Sequence, residues 1–196
     1  MTCGAVVKSG IVYVPCINNG CFSPDSTRRR TSFCDAPQVT PEPAMDPIVV
    51  RDVRAGDFAA WLVLWDGYNA FYSRSGPTAL PMEITKSTWN RFLDPREPMH
   101  ALVAERDGEL LGLVHIVLHQ STTMMVPTCY LQDLFTSAEA REQGIGRRLI
   151  EAVYGRAKLE GAGRVYWHTH ETNAVAMRLY DRVAERSGFV MYRKLL

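Results

Sequence analysis

The stretch Arg141-Glu142-Gln143-Gly144-Ile145-Gly146-Arg147-Arg148 sets two glycines one residue apart between arginines, at the head of a helical pattern. Behind it the apolar residues fall at Ile145, Leu149, Val153 and Ala157, the spacing of one helix face. Each glycine costs a helix about 1 kcal/mol relative to alanine, so two in a first turn need an offsetting use. A first turn carries unpaired backbone N–H groups and the positive end of the helix dipole, and both favour an anion. Lacking side chains, glycines let that anion approach the backbone. The pattern fixes a loop-to-helix junction here and makes it a candidate anion site. A dinucleotide-binding loop would need a third glycine where Leu149 stands, and a longer doubly wound sheet after it.

The rest of the chain supplies the elements around that junction. Its 196 residues are enough for one domain with a sizeable core, and 46% hydrophobic with 22% charged residues is an ordinary globular balance. The formal net charge of +1 gives no argument for a nucleic-acid partner. No apolar run approaches the roughly 20 residues that span a bilayer, so no membrane partner is expected and the protein reads as cytoplasmic. "IVVRDV" reads as a strand, Asp57 to Tyr72 and Ile84 to Leu93 as amphipathic helices, and "HALVAER" and "LLGLVHIVLH" as strands around an Asp107-Gly108 hairpin turn. "TCYLQDLFT" is a further strand. The Gly-headed helix runs to about Glu160 and is closed by Gly161 and Gly163. "RVYWHTH" reads as a strand, "NAVAMRLYDRVAERSG" as a helix and "FVMYRKL" as a last strand. The predicted order is β-α-α-β-β-β-α-β-α-β, an α/β fold with a mixed sheet flanked by helices.

Residues 1–46 differ from the remainder. They are rich in Ser, Thr, Pro and Asn without apolar period, which predicts a disordered leader ahead of a domain at 47–196. Met45 directly precedes the first strand, and the expectation is that it is the natural start. Cys3, Cys16, Cys21 and Cys34 all lie in this leader, without the paired spacing of a zinc site. No metal is expected.

Three motifs in order carry a family resemblance. Arg141-Glu142-Gln143-Gly144-Ile145-Gly146 matches the R/Q-x-x-G-x-G/A signature of the GCN5-related N-acetyltransferases, the GNAT superfamily. "YLQDLFT" stands just before it, where that family has its acyl-CoA-binding strand. "ETNAVAMRLYDRVAERSGF" is similar to the family's N-x6-Y…GF ending. "WLVLWDGYNAFY", "RFLDP" and "VYWHTHETN" resemble the yeast histone-and-other-protein subgroup, which includes D-amino-acid and polyamine acetylators. The resemblance covers residues 47–196.

The resemblance implies acetyl-CoA as cofactor, with its pyrophosphate on the backbone N–H groups of Gln143, Gly144, Ile145, Gly146 and Arg147, beside Arg141 and Glu142. It implies a β-bulge at Leu134, Phe135 and Thr136 that frees backbone groups for pantetheine, and a backbone N–H near Leu134 that stabilises an oxyanion. Tyr180 matches the family tyrosine that protonates the departing thiolate; an ordinary tyrosine pKa of about 10 is close to that of a thiol. Asn173 is a pantetheine contact, a helix N-cap, or both. The base is less directly placed. Polyamine acetyltransferases have Glu where this chain has Gln132, and Gln is no base, which leaves the adjacent Asp133 or Glu171, His168 and His170. Strict alternation puts Gln132 and Asp133 on opposite sheet faces unless a bulge intervenes. His168 and His170 are expected to be partly buried structural residues.

The acceptor site is expected between the first two helices and the sheet. Trp61, Trp65, Tyr68 and Tyr72 repeat at helical spacing, which is either core or an aromatic wall for the acceptor. Trp65, Tyr68, Tyr72, Gln132 and Glu171 are the candidate acceptor contacts; Asp66 and Glu83 are expected at the surface. The expected partner is a small-molecule amine: a polyamine, an amino acid or a related metabolite. Acetylation of a protein lysine or N-terminus, or a non-catalytic acyl-CoA-binding sensor, are the alternatives. The subgroup implies a homodimer through the last strands.

Overall fold

Asp107 and Gly108 both adopt left-handed backbone, at φ 53° and 80°, the turn whose twist suits a tight hairpin. They join β2 (Met99–Arg106) to β3 (Glu109–His119), the centre of a five-stranded sheet. The computed structural model describes residues 47–196, so the expectations for the leader, its cysteines and Met45 lie outside the described residues. β1 (Val49–Asp52) pairs with β2 on one side, and β4 (Thr128–Thr136) with β3 on the other, all antiparallel. β5 (Arg164–Tyr166) then pairs parallel with β4. A parallel neighbour needs a crossover, and α3 (Ile145–Leu159) provides it. This order is not a doubly wound parallel sheet, which removes the dinucleotide-loop reading.

Alternation along the strands gives the sheet two apolar faces. Leu102, Ala104, Val114, Ile116 and Leu131 pack with Ile145, Leu149, Ile150 and Val153 of α3. Leu179, Tyr180 and Val183 of α4 (Ala174–Val183) join this layer. On the other face Val103, Leu110 and Leu113 pack with Trp61, Leu64, Trp65 and Tyr68 of α1 (Phe58–Phe71) and Trp89 of α2 (Met82–Leu93). Trp61 is fully buried and Trp65 is 6% exposed, so the N-terminal half of the aromatic stripe is core.

β4 departs from regular pairing at one point. His115 pairs with Asp133 and Ile116 with Leu131, which leaves Gln132 as an extra residue. Leu134, Phe135 and Thr136, where a bulge was expected, pair regularly with Val114, Leu113 and Gly112. Gly112 permits this close pairing: a Cβ there would stand 2.8 Å from the Phe135 carbonyl oxygen and 3.2 Å from Ile145. The bulge at Gln132 moves Asp133 off Leu131's face and onto the α1 face. A second irregularity has the same neighbourhood. β5 accompanies β4 only over Thr128–Tyr130. From Leu131 to Thr136 that side of β4 has no strand partner among the described residues, which leaves part of its backbone N–H and C=O groups open.

The C-terminal prediction needs correction. α4 ends at Val183, short of the expected Gly188, and residues 184–196 form no strand. Phe189 and Tyr192 are each 92% exposed. The order seen ends in a helix. Alternating apolar residues mark a segment suited to a sheet; they do not supply the edge. Within this chain β5 offers only a three-residue ladder, and "RVYWHTH" forms a strand only over Arg164–Tyr166.

Candidate active site

The two glycines of the loop serve different ends. Gly144 sits at φ 75° as the N-cap of α3, a conformation that side chains resist, and a Cβ there would meet nothing within 4 Å. Gly146 is helical; a Cβ there would press on Leu179 of α4 at 3.3 Å. The first α3 bond runs from the Arg148 N–H to the Gly144 carbonyl, and no side chain caps the turn. The N–H groups of Ile145, Gly146 and Arg147 therefore face open space, as an anion site requires. Arg106 donates to the Gln143 side-chain oxygen at 2.9 Å, and Gln143 donates to the Glu139 carbonyl at 3.3 Å, which holds the loop. Arg141 and Glu142 are exposed. Arg147 shares its charge with Glu151 at 2.8 Å. Ile145 is 1% exposed in the core, so only its backbone is available. This open first turn and the open edge of β4 at Leu134–Thr136 fit a pyrophosphate followed by an extended arm. Phe135 contributes backbone only, because its ring packs over Gly67, where a Cβ would come within 2.8 Å.

Asp133, brought across by the bulge, enters a buried polar network. Trp61 donates its indole N–H to Nε2 of His115 at 3.0 Å. An indole N–H only donates, so Nε2 is bare and the imidazole proton sits on Nδ1. Nδ1 lies 3.0 Å from the Asp133 carboxylate and donates to it. The Tyr68 hydroxyl lies near the same carboxylate. Burial first, then the Asp133 charge, pushes the Tyr68 phenol far above its ordinary range, and the same two causes raise Tyr72. Tyr130 is raised likewise, by burial and then Asp133. The carboxylate therefore has three phenols in its field. Trp65 stacks on Tyr68 and gives its own N–H to Thr85 at 3.3 Å. Trp65 thus supports the wall, while Tyr68 and the 40%-exposed Tyr72 form its accessible end.

Tyr180 closes the other side. It packs edge-on against Trp167 with ring centres 5.4 Å apart. Burial, then proximity to Tyr72, pushes its pKa up to about 12. Tyr72 thus senses both Asp133 and Tyr180. Asn173 caps α4, accepting from the Ala176 N–H at 3.4 Å and donating to Thr169 at 3.4 Å. Gln132, the bulged residue, is exposed beside Asp133. Glu171 is exposed in the turn before α4, and no hydrogen bond or ion pair joins it to the Asp133 network. His168 and His170 are exposed, contrary to expectation, because β5 ends at Tyr166 and releases them from the sheet. His168 meets the Tyr130 hydroxyl at 3.3 Å and His170 meets Thr172 at 2.7 Å. Among the described residues no three His, Cys, Asp or Glu are placed to hold a metal ion. His115 was missed from sequence. The signal was present: one histidine inside the buried run "LLGLVHIVLH" must find polar partners.

Comparison with known proteins bears on the family and the fold. The profile of the Acetyltransferase (GNAT) family matches residues 61–184. The D-amino-acid N-acetyltransferase HPA3 of Saccharomyces cerevisiae is 34% identical over 151 residues, spanning 76% of this chain and 91% of that protein. The uncharacterized N-acetyltransferase YhfO of Bacillus subtilis is 30% identical over 145 residues, 73% of this chain and 94% of that one. Among solved structures, an aminoglycoside N-acetyltransferase, AAC(6')-Iy, in complex with CoA superposes with TM-score 0.66 at 17% identity, covering 78% of this chain and 98% of that chain.

Replacing Gly146 by Glu sets a carboxylate into the open first turn. Isothermal titration with coenzyme A is expected to show binding abolished, with circular dichroism confirming the fold; undiminished affinity would make the loop structural only.

Proposed function

The chain belongs to the Acetyltransferase (GNAT) family, and from that premise we propose that it acetylates the primary amine of a small molecule by direct attack, with Asp133 as base and Tyr180 as acid. The observation that carries this reading is the Asp133 carboxylate, turned by the bulge into the aromatic wall and held there by His115 beside Tyr68. Acetyl-CoA, when bound, supplies the activated acetyl thioester. Ile145, Gly146 and Arg147 hold the pyrophosphate through backbone N–H groups, with Arg141, Glu142, Gln143 and Gly144 shaping the loop. Leu134, Phe135 and Thr136 would hold the arm through backbone groups along the open strand edge, and a backbone N–H near Leu134 would supply oxyanion stabilisation. Asn173 positions the arm from the head of α4.

Asp133 takes the proton that an ammonium must lose before its nitrogen attacks. Its carboxylate is already bonded to His115, so it is aimed rather than free to rotate. Tyr68, Tyr72 and Gln132 line the acceptor. Tyr180 gives its hydroxyl proton to the sulfur as it leaves. The raised Tyr180 pKa keeps that proton in place at every physiological pH: the neutral, donating form persists until pH climbs toward about 12. The acceptor is a free amine of the amino-acid or polyamine kind. The relative named for D-amino acids supports the first of these. The protein works in the cytoplasm, where acetyl-CoA and such amines meet; among the described residues no helix is long and apolar enough to cross a membrane. It works as a homodimer in which the apolar tail Phe189–Leu196 of one copy completes the sheet of the other at the β5 edge.

CoA release measured over polyamines, L- and D-amino acids, aminoglycosides and lysine peptides is expected to show turnover of one small-amine class. Acetyl-CoA binding without turnover of any would favour a sensor. Tyr180→Phe is expected to lower kcat roughly 10- to 1000-fold with CoA affinity kept, and wild-type kcat is expected to show no descending limb up to about pH 10. Unchanged turnover in that variant would remove Tyr180 from the chemistry. Sedimentation is expected to give twice the chain mass, and a chain ending at Gly188 the mass of one; a monomeric full-length chain would remove the dimer.

A further inference from the structure

Beyond the acid, the base and the anion loop, one charged side chain faces the acceptor wall without a charge partner. α1 ends in a Schellman turn. Ser73 stands at φ 59° without being glycine, its N–H bonds the Ala70 carbonyl at 3.0 Å, and the Arg74 N–H bonds the Asn69 carbonyl at 2.9 Å. The turn folds Arg74 back along the helix it has just left. Its guanidinium carbon lies 5.6 Å from the Tyr68 ring centre and 5.5 Å from that of Tyr72. Nε of Arg74 donates to the side-chain oxygen of Asn69 at 2.7 Å. Asn69 is only 3% exposed, and its amide is fixed in turn by donating to the Trp65 carbonyl at 2.9 Å. A buried amide, a backbone bond and two ring faces therefore hold one guanidinium. Its two terminal nitrogens make no hydrogen bond or ion pair among the described residues.

We propose that Arg74 receives the carboxylate of the acceptor, which makes an α-amino acid, rather than a plain amine or a polyamine, the preferred substrate of this site. The inference rests on the acetyltransferase reading and narrows its substrate class. Tyr68 lies between the two charges: its hydroxyl is near Asp133 and its ring lies against Arg74. The wall is thus negative at one end and positive at the other. An amino acid carries the complementary pair, its ammonium toward Asp133 and its carboxylate toward Arg74. A planar guanidinium with both terminal nitrogens open suits a carboxylate in a two-bond geometry. A polyamine would bring its second ammonium against the same guanidinium, a like-charge contact that disfavours it.

The test uses the full-length chain and acceptors matched except for the carboxylate: D- and L-phenylalanine against 2-phenylethylamine, and D- and L-ornithine against putrescine. Wild-type kcat/KM is expected to favour at least one amino acid of each pair by about 10- to 100-fold. Arg74→Gln is expected to collapse that ratio toward unity, chiefly through KM for the amino acid, and Arg74→Lys to restore it in part. A role confined to capping α1 would lower melting temperature and slow both members of a pair equally. An unchanged ratio in Arg74→Gln, or a wild-type preference for the plain amine, overturns the assignment and leaves the acetyltransferase reading standing. Absence of turnover with every amine overturns that reading and the assignment with it.

Discussion

One extra residue in β4 governs the site. A strand that alternated strictly through Leu131 would point Asp133 at α3, into a layer of Val, Ile and Leu where a carboxylate has no partner. Gln132 takes up the irregularity, and Asp133 turns instead toward His115 on the neighbouring strand. There two hydrogen bonds run in series, indole to imidazole and imidazole to carboxylate, with the Tyr68 phenol close by. Because Trp61 only donates, the tautomer of His115 is fixed, and through it the direction of the Asp133 bond. A buried network of this kind is favourable only when each member is satisfied, and this one is.

The other parts of the site follow from how β4 leaves its neighbours. It separates from β5 after Tyr130, which opens a strand edge directly behind the Gly144 turn. The same separation leaves Tyr130, Tyr166 and His168 as a loose aromatic group at the surface, with ring centres 5.0 to 5.8 Å apart. The first turn of α3 lies beside the end of β4, a Cβ at Gly146 standing 4.0 Å from the Thr136 hydroxyl, so the anion site and the open edge adjoin. α1 approaches the opposite face closely because Gly67 lets the Phe135 ring reach its backbone. Tyr68, one residue on, is thereby held within reach of Asp133.

Most of the scaffold was legible in the chain, for reasons that differ by element. The hairpin at Asp107-Gly108 requires left-handed backbone, and its residue pair announces that. "TCYLQDLFT" forms a strand over its whole length because alternation and β-branched ends agree. The loop glycines were legible as a junction, but their division of labour was not: positive φ at Gly144 and helix contact at Gly146 look alike in sequence. The bulge position was misplaced because bulges follow from the fit of two strands, here the approach permitted by Gly112, and not from either strand alone. The tail at Phe189–Leu196 reads as a strand from its apolar alternation, yet no strand forms there, because alternation marks a segment suited to a sheet without supplying the edge. Arg74 left no trace in periodicity, because its placement depends on a helix terminus folding back on itself.

The central claim is that Asp133 removes the proton from the acceptor amine. It is tested most directly by the pH dependence of kcat/KM for wild type and Asp133→Asn, with coenzyme A affinity and melting temperature measured alongside. The asparagine side-chain oxygen still accepts from His115, so the network and fold should persist. The account predicts a loss of roughly 100- to 10,000-fold in kcat/KM with coenzyme A binding intact. Wild-type turnover and an unaltered profile in Asp133→Asn would contradict it.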